Sequence, residues 1–164
     1  MQREHEALIH EFLRLLLEEF GDRLRSLLVF GSVARGTARP DSDVDVCVVI
    51  RELPVSRYRR HQLLSPVLER LRQSEAYETL IRRGYSPDMA AILYTPEEIQ
   101  HTKPIFLEFV EDGVVLRDDG TMRAKLDQLR ARMKTLGSRK IVLDDGTYYW
   151  LLKPDLKFGE VIEL

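Results

Sequence analysis

Two aspartates, Asp43 and Asp45, stand at the head of the apolar run VDVCVVI, and the pair Gly31-Ser32 ends another apolar run upstream, with residues 33–42 between them. On a strand, residues i and i+2 share one face, roughly 6.5–7 Å apart at Cα. Val44, Val46 and Val48 then take the opposite, buried face, and two carboxylates are left pointing the same way. Their repulsion needs a partner. Divalent cations turn it into attraction, and two magnesium ions about 3.5–4 Å apart are the usual device for in-line phosphoryl displacement. Upstream, Gly31 lets a phosphate come close to the backbone, and Ser32 opens a short helix whose free N–H groups suit an anion. Arg35, in that helix's first turn, offers a forked donor to the same phosphates. Solvated aspartates at a strand start and a plain N-cap serine explain each residue singly but not their combination.

Three other motifs compete for the stretch, and each lacks a necessary residue. GSVARGT has the glycine spacing of a P-loop, but Thr37 and Ala38 stand where Lys and Ser/Thr are required. Asp41, Asp43, Asp45 and Glu52 fall at calcium-loop positions, yet Val46 occupies the place that must be glycine. A dinucleotide fingerprint needs a third glycine at a spacing not found here.

Elements able to position these residues follow from periodicity. Leu8, Phe12, Leu15, Leu16 and Phe20 predict an amphipathic helix over residues 3–20, closed by Gly21. A strand is expected over Leu24–Phe30, a short helix up to Gly36, and a second strand over Asp43–Ile50. Residues 56–82 read as one helix, with a kink or fresh start at Pro66. DMAAILY (88–94) reads as a third strand. Thr95-Pro96-Glu97-Glu98 carries a capping box that announces a helix. Phe106, Phe109 and Val110 suggest a further helix, and Val114–Leu116 a short strand. Met122, Leu126, Leu129, Met133 and Leu136 mark a helix stopped by Gly137, and RKIVL-DDG-TYYWL reads as a hairpin turning at Asp145-Gly146. The expected class is α/β (α+β): a small mixed sheet flanked by helices, with core residues 1–118 and a C-terminal helix plus hairpin, residues 119–164, packed on it.

The bulk composition of the 164 residues, 44% apolar and 32% charged, is that of a globular chain, and a formal net charge of −2 argues against a duplex-DNA binder. The one cysteine, Cys47, has no internal disulfide partner, no membrane-spanning run is present, and the N-terminal segment has no signal-peptide core, so a cytoplasmic setting is expected.

The unbroken order Gly31-Ser32, ten residues, Asp43-Val44-Asp45, together with Ala34-Arg35-Gly36, resembles the minimal nucleotidyltransferases (MNT) of the DNA polymerase β superfamily. The superfamily resemblance covers about residues 1–95. It implies transfer of a nucleoside monophosphate, AMP favoured, from a nucleoside triphosphate to an acceptor hydroxyl, with release of pyrophosphate. It also implies that Gly31 and Ser32, with Arg35, hold the triphosphate, and that Asp43 and Asp45 hold two Mg2+ ions. A third carboxylate on a following strand usually joins them in such proteins. Asp88, at the head of DMAAILY, is the candidate, with a turn residue after Pro87 as its other reading; Glu97 and Glu98 are already explained by helix capping. Some MNT relatives are antitoxins that nucleotidylate a HEPN-type toxin, which makes a protein acceptor one expectation. A non-catalytic nucleotide-binding or partner-binding module is the alternative.

His5, His10, His61 and His101 show no metal-ligand spacing and are expected at the surface. Tyr148-Tyr149-Trp150 is expected to pack its hairpin rather than stack a base. Lys153 and Lys157 read as solvated, and RYRRH (57–61) reads as a solvated helix start, with an RNA or protein contact as the other choice. The apolar stripe of residues 122–136 fits burial within the chain or a homodimer or heterocomplex interface equally well.

Overall fold

The computed structural model describes residues 1–162 and Leu164. A 3-10 turn (Arg3–His5) leads into α1 (Glu6–Phe20), followed by β1 (Leu24–Val29), α2 (Gly31–Arg35) and β2 (Val44–Ile50). Two helices come next, α3 (Arg57–Arg72) and α4 (Glu75–Arg82), and then β3 (Met89–Tyr94). A 3-10 turn (Glu98–Gln100), α5 (Phe106–Asp112), β4 (Val114–Asp118) and α6 (Thr121–Leu136) complete the core, and β5 (Arg139–Val142) and β6 (Tyr148–Leu151) form a hairpin. The four-stranded sheet has the order β3-β2-β1-β4, with β2 parallel to β3 and β1 antiparallel to both neighbours. The expected mixed α/β class is what the chain adopts.

Each face of the sheet carries its own apolar layer. Val44, Val46, Val48 and Ile50 pack with Leu8, Phe12, Leu15 and Leu16 of α1 and with Leu64, Val67 and Leu71 of α3. Cys47 and Val49 point the other way, against Phe106 and Phe109 of α5 and Met122, Leu126 and Leu129 of α6. Full burial of each such side chain contributes roughly 1.5–3 kcal/mol. The apolar stripe of α6 is thus spent inside the chain.

Four local expectations are corrected. Pro66 does not interrupt α3, because it lies on the exposed side, where the carbonyl freed by its missing N–H meets water. The break comes at Ser74, whose hydroxyl accepts the Tyr77 N–H and starts α4 as an N-cap. The capping box at Thr95 and Glu98 forms in both directions, at 2.9 and 3.3 Å, but it caps only a 3-10 turn. Arg60, expected in solvent, is buried; it grips Glu98 with two N–H groups and donates to the carbonyls of Pro54 and Leu93. Such a bidentate, charge-assisted pair compensates for the loss of water.

The fourth correction is His5, which is fully buried, with neither ring nitrogen hydrogen-bonded and its ring edge-on to Tyr85 at 5.2 Å. Burial holds its pKa below the ordinary 6.5. The native state therefore resists the proton that the unfolded chain takes up, and stability present above about pH 6.5 is lost as the pH falls through the depressed value. The urea midpoint should drop more between pH 7.5 and 5.5 in the wild type than in His5→Phe; equal drops would show a solvated ring. His10, His61 and His101 are exposed as expected.

Candidate active site

The Gly-Ser turn and the two aspartates meet because β1 and β2 are antiparallel neighbours: Val29 pairs with Val46, and the Phe30 N–H donates to the Asp45 carbonyl at 3.0 Å. The chain leaves β1 at that point and turns straight into α2. Gly31 has φ +70°, a conformation natural to glycine. It also lies directly against the Asp45 carboxylate. A methyl group at Gly31 would overlap Asp45 Oδ2 and stand 3.1 Å from its Cγ.

Asp45 is half-buried at the start of β2, and Asp43 is exposed one residue before the strand begins. Both belong to the face that, two residues further on, becomes the apolar layer of Cys47 and Val49. Burial and the Asp43 charge together raise the Asp45 pKa, and Arg35 partly offsets them. The Asp45 carboxylate therefore senses both of these charges.

The loop that carries Asp43 is held from several sides. Gln2 donates its backbone N–H to the Val33 carbonyl, and its side chain both accepts from and donates to the Ala38 backbone. Arg39 and Ser42 close a turn on each other, and the Pro40 carbonyl accepts the Ser86 N–H. The Ser32 carbonyl takes the Thr37 N–H at 2.9 Å, and Gly36 caps α2 in the left-handed region. Nothing in the local sequence pattern announces Gln2 as a brace.

Arg35 and Asp88 are engaged elsewhere. The Arg35 guanidinium pairs with Asp112 at 2.9 Å, at the end of α5. Around that pair stand Glu108 and Tyr148 of the hairpin; burial, followed by Glu108, pushes the Tyr148 hydroxyl upward in pKa. Trp150 donates to Glu108, while Lys140 lies 4.0 Å over the Tyr148 ring, so the hairpin is tied to the same corner. Sequence reasoning missed Asp112 because 77 residues separate it from Arg35. Asp88 is adjacent to the pair through its backbone, its carbonyl accepting the Val44 N–H at 2.8 Å. Its exposed side chain, however, pairs with Arg72 of α3 at 3.6 Å. Among the described residues, no group of three or more His, Cys, Asp or Glu side chains is placed to hold a metal ion. The structure thus brings together Gly31, Ser32, Asp43 and Asp45, turns Arg35 toward α5, and leaves the Asp88 carboxylate outside the group.

The chain is similar to known proteins in sequence and in fold. Residues 9–142 match the family model described as a nucleotidyltransferase domain. A protein of Methanocaldococcus jannaschii, provisionally named a protein adenylyltransferase, is 44% identical over 61 residues, 37% of this chain. The match spans 42% of that relative's length. Among solved structures, a spectinomycin adenyltransferase from Enterococcus faecialis with ATP and spectinomycin superposes with a TM-score of 0.51 at 14% identity, over 80% of this chain and 65% of that one. This is a likeness of fold. A tri-AMPylated Shewanella oneidensis HEPN toxin in complex with MNT antitoxin gives 0.46 at 12% identity, over 81% and 92% of the chains.

Proposed function

The chain belongs to the nucleotidyltransferase-domain family, and from that premise we propose that it moves AMP from ATP to a hydroxyl on a protein, with release of pyrophosphate. The observation that supports this reading is the contact of Gly31 with the Asp45 carboxylate, which sets the Gly-Ser turn against the head of β2, at the Asp43-Val44-Asp45 run.

Magnesium fits the donor set. Both carboxylates are hard oxygen donors, one exposed and one half-buried, and Mg2+ ordinarily takes one or two protein carboxylates and completes its shell with substrate phosphates and water. When bound, it supplies neutralisation of phosphate charge and orientation for in-line attack. Asp43 and Asp45 would hold it. Gly31, lacking a side chain, leaves the backbone open to the triphosphate, and the Ser32 hydroxyl offers a hydrogen bond to a phosphate oxygen. Arg35 stays within electrostatic reach of Asp45 while braced by Asp112. The acceptor oxygen forms a bond to the α-phosphorus, the bond to the bridging oxygen breaks, pyrophosphate leaves with the electron pair, and the hydroxyl proton passes to water.

A protein acceptor is supported by the name of the M. jannaschii relative. The MNT-like motif makes a HEPN-type protein the first acceptor to try. A cytoplasmic setting agrees with the need for ATP and with a buried, unpaired Cys47; no described helix is long and apolar enough to cross a membrane. One observation favours a second reading, nucleotide binding without turnover: the Asp88 carboxylate is held by Arg72 rather than beside Asp45.

Calorimetry with ATP, with and without magnesium, tests the site, and labelled ATP with a HEPN-type protein or a lysate tests transfer. Tight binding that requires magnesium, followed by label on protein, is the expected result. Binding without label would support the second reading, and no binding would remove both.

A further inference from the structure

β3 is one margin of the four-stranded sheet, so its outer side has no strand beside it. Along that margin, from Ala91 to Tyr94, runs a cleft of about 440 Å³ walled by Arg57, His61, Lys103 and Ile105. The buried Arg60–Glu98 pair braces it, and Arg60 also takes the Leu93 carbonyl. That contact shows the Leu93 backbone facing outward, though it takes the Leu93 carbonyl, and by the alternation of a parallel strand the N–H and C=O of Ala91 face the same way, which leaves these two groups and the Leu93 N–H to pair. The cleft is also basic. Among the described residues, neither Arg57 nor Lys103 has a carboxylate at ion-pair distance, in a chain whose formal net charge is −2. Beside it, Val55 is almost fully exposed.

We propose that this cleft receives an extended, acidic polypeptide segment, laid as an added strand along β3, which carries the hydroxyl that accepts the nucleotide. The proposal rests on the transfer reading above and names the acceptor's chemistry. Strand addition uses unpaired main-chain groups for affinity and flanking side chains for choice, and here those flanking groups are cations together with Ile92 and Ile105. A nucleic-acid strand would use the cations but leave the strand's N–H and C=O groups without a matching partner. The reach is adequate. Ala90 is paired with Asp45, so an added strand lies about two strand spacings, or about 9.6 Å, from Asp45. A tyrosine side chain, with its hydroxyl at the far end of the ring, facing a phosphoryl group spans that interval.

The test uses fluorescent nonapeptides with a central tyrosine, one with flanking glutamates, one with lysines in their place, and one acidic peptide N-methylated at alternate amides. Anisotropy is read without nucleotide. The acidic peptide should bind at least about tenfold tighter than the lysine peptide, and should lose about tenfold on N-methylation and in Arg57→Glu with Lys103→Glu. Equal binding of the two charge types, indifference to methylation or to the charge reversal, or loss on reversal of an RNA nonamer that alone binds the cleft, would overturn the proposal. Magnesium-ATP calorimetry on the same proteins separates the two ideas. Nucleotide binding without peptide binding sinks the docking strand alone, whereas peptide binding without nucleotide binding sinks the transfer reading alone.

Discussion

Asp45→Asn, alone or with Asp43→Asn, should reduce magnesium-dependent pyrophosphate release by about 10³-fold or more, beyond the 10–100-fold typical of outer-shell changes at metal sites. The same substitution should leave the metal-free protein at least as stable as the wild type, and this second outcome separates lost chemistry from lost fold. Burial and the Asp43 charge raise the Asp45 pKa above 3.8. A carboxylate whose folded pKa is raised contributes stability at low pH that is lost as the pH climbs through that value, so at neutral pH its charge is a cost to the native state. An amide of the same shape removes that cost. Magnesium affinity should also weaken on acidification from a higher pH than an ordinary aspartate would impose, because metal and proton compete for the same oxygens. A coupled pyrophosphate assay and a thermal midpoint measure both effects. Undiminished release in the double variant would take these carboxylates out of the mechanism.

Gly31→Ala is expected to cut kcat/KM by about 10²-fold or more, since displacing a reacting group by about 1 Å costs that much. Alanine at φ +70° carries about 1–2 kcal/mol of backbone strain, and its methyl group overlaps the Asp45 carboxylate, which has to move. Gly36→Ala is the control. It too has a positive φ, of +77°, but a methyl group there meets nothing within 4 Å. It should share the loss of stability, read as a urea midpoint, while keeping most of the turnover. If both variants lose activity equally, the contact of Gly31 with Asp45 is not what the site depends on.

What could be read from the sequence was local. Thr95 and Glu98 form their capping box because both partners lie within one turn, Gly137 ends α6 in the left-handed region, and Asp145-Gly146 turns the hairpin. The face shared by Asp43 and Asp45 follows from the two-residue period of a strand. What could not be read was set by tertiary partners. Arg60 looks solvated until Glu98, 38 residues later, is folded beside it, and the attachment of Arg35 to Asp112 depends on where α5 ends. Asp88 stands at the expected strand, but its carboxylate answers to an arginine on the helix across the sheet. His5 offered no signal, since a lone histidine near an amphipathic helix reads the same in water or in the core.

The acidic pair lies at the rim, while the same strand's valines and cysteine carry the interior. Chemistry and architecture are therefore written in separate letters of one short word. On the proposed reading, a descendant that exchanged both aspartates for amides would forfeit its reaction and keep its shape, and resemblance of outline within this lineage would then be no guide to which members still turn over.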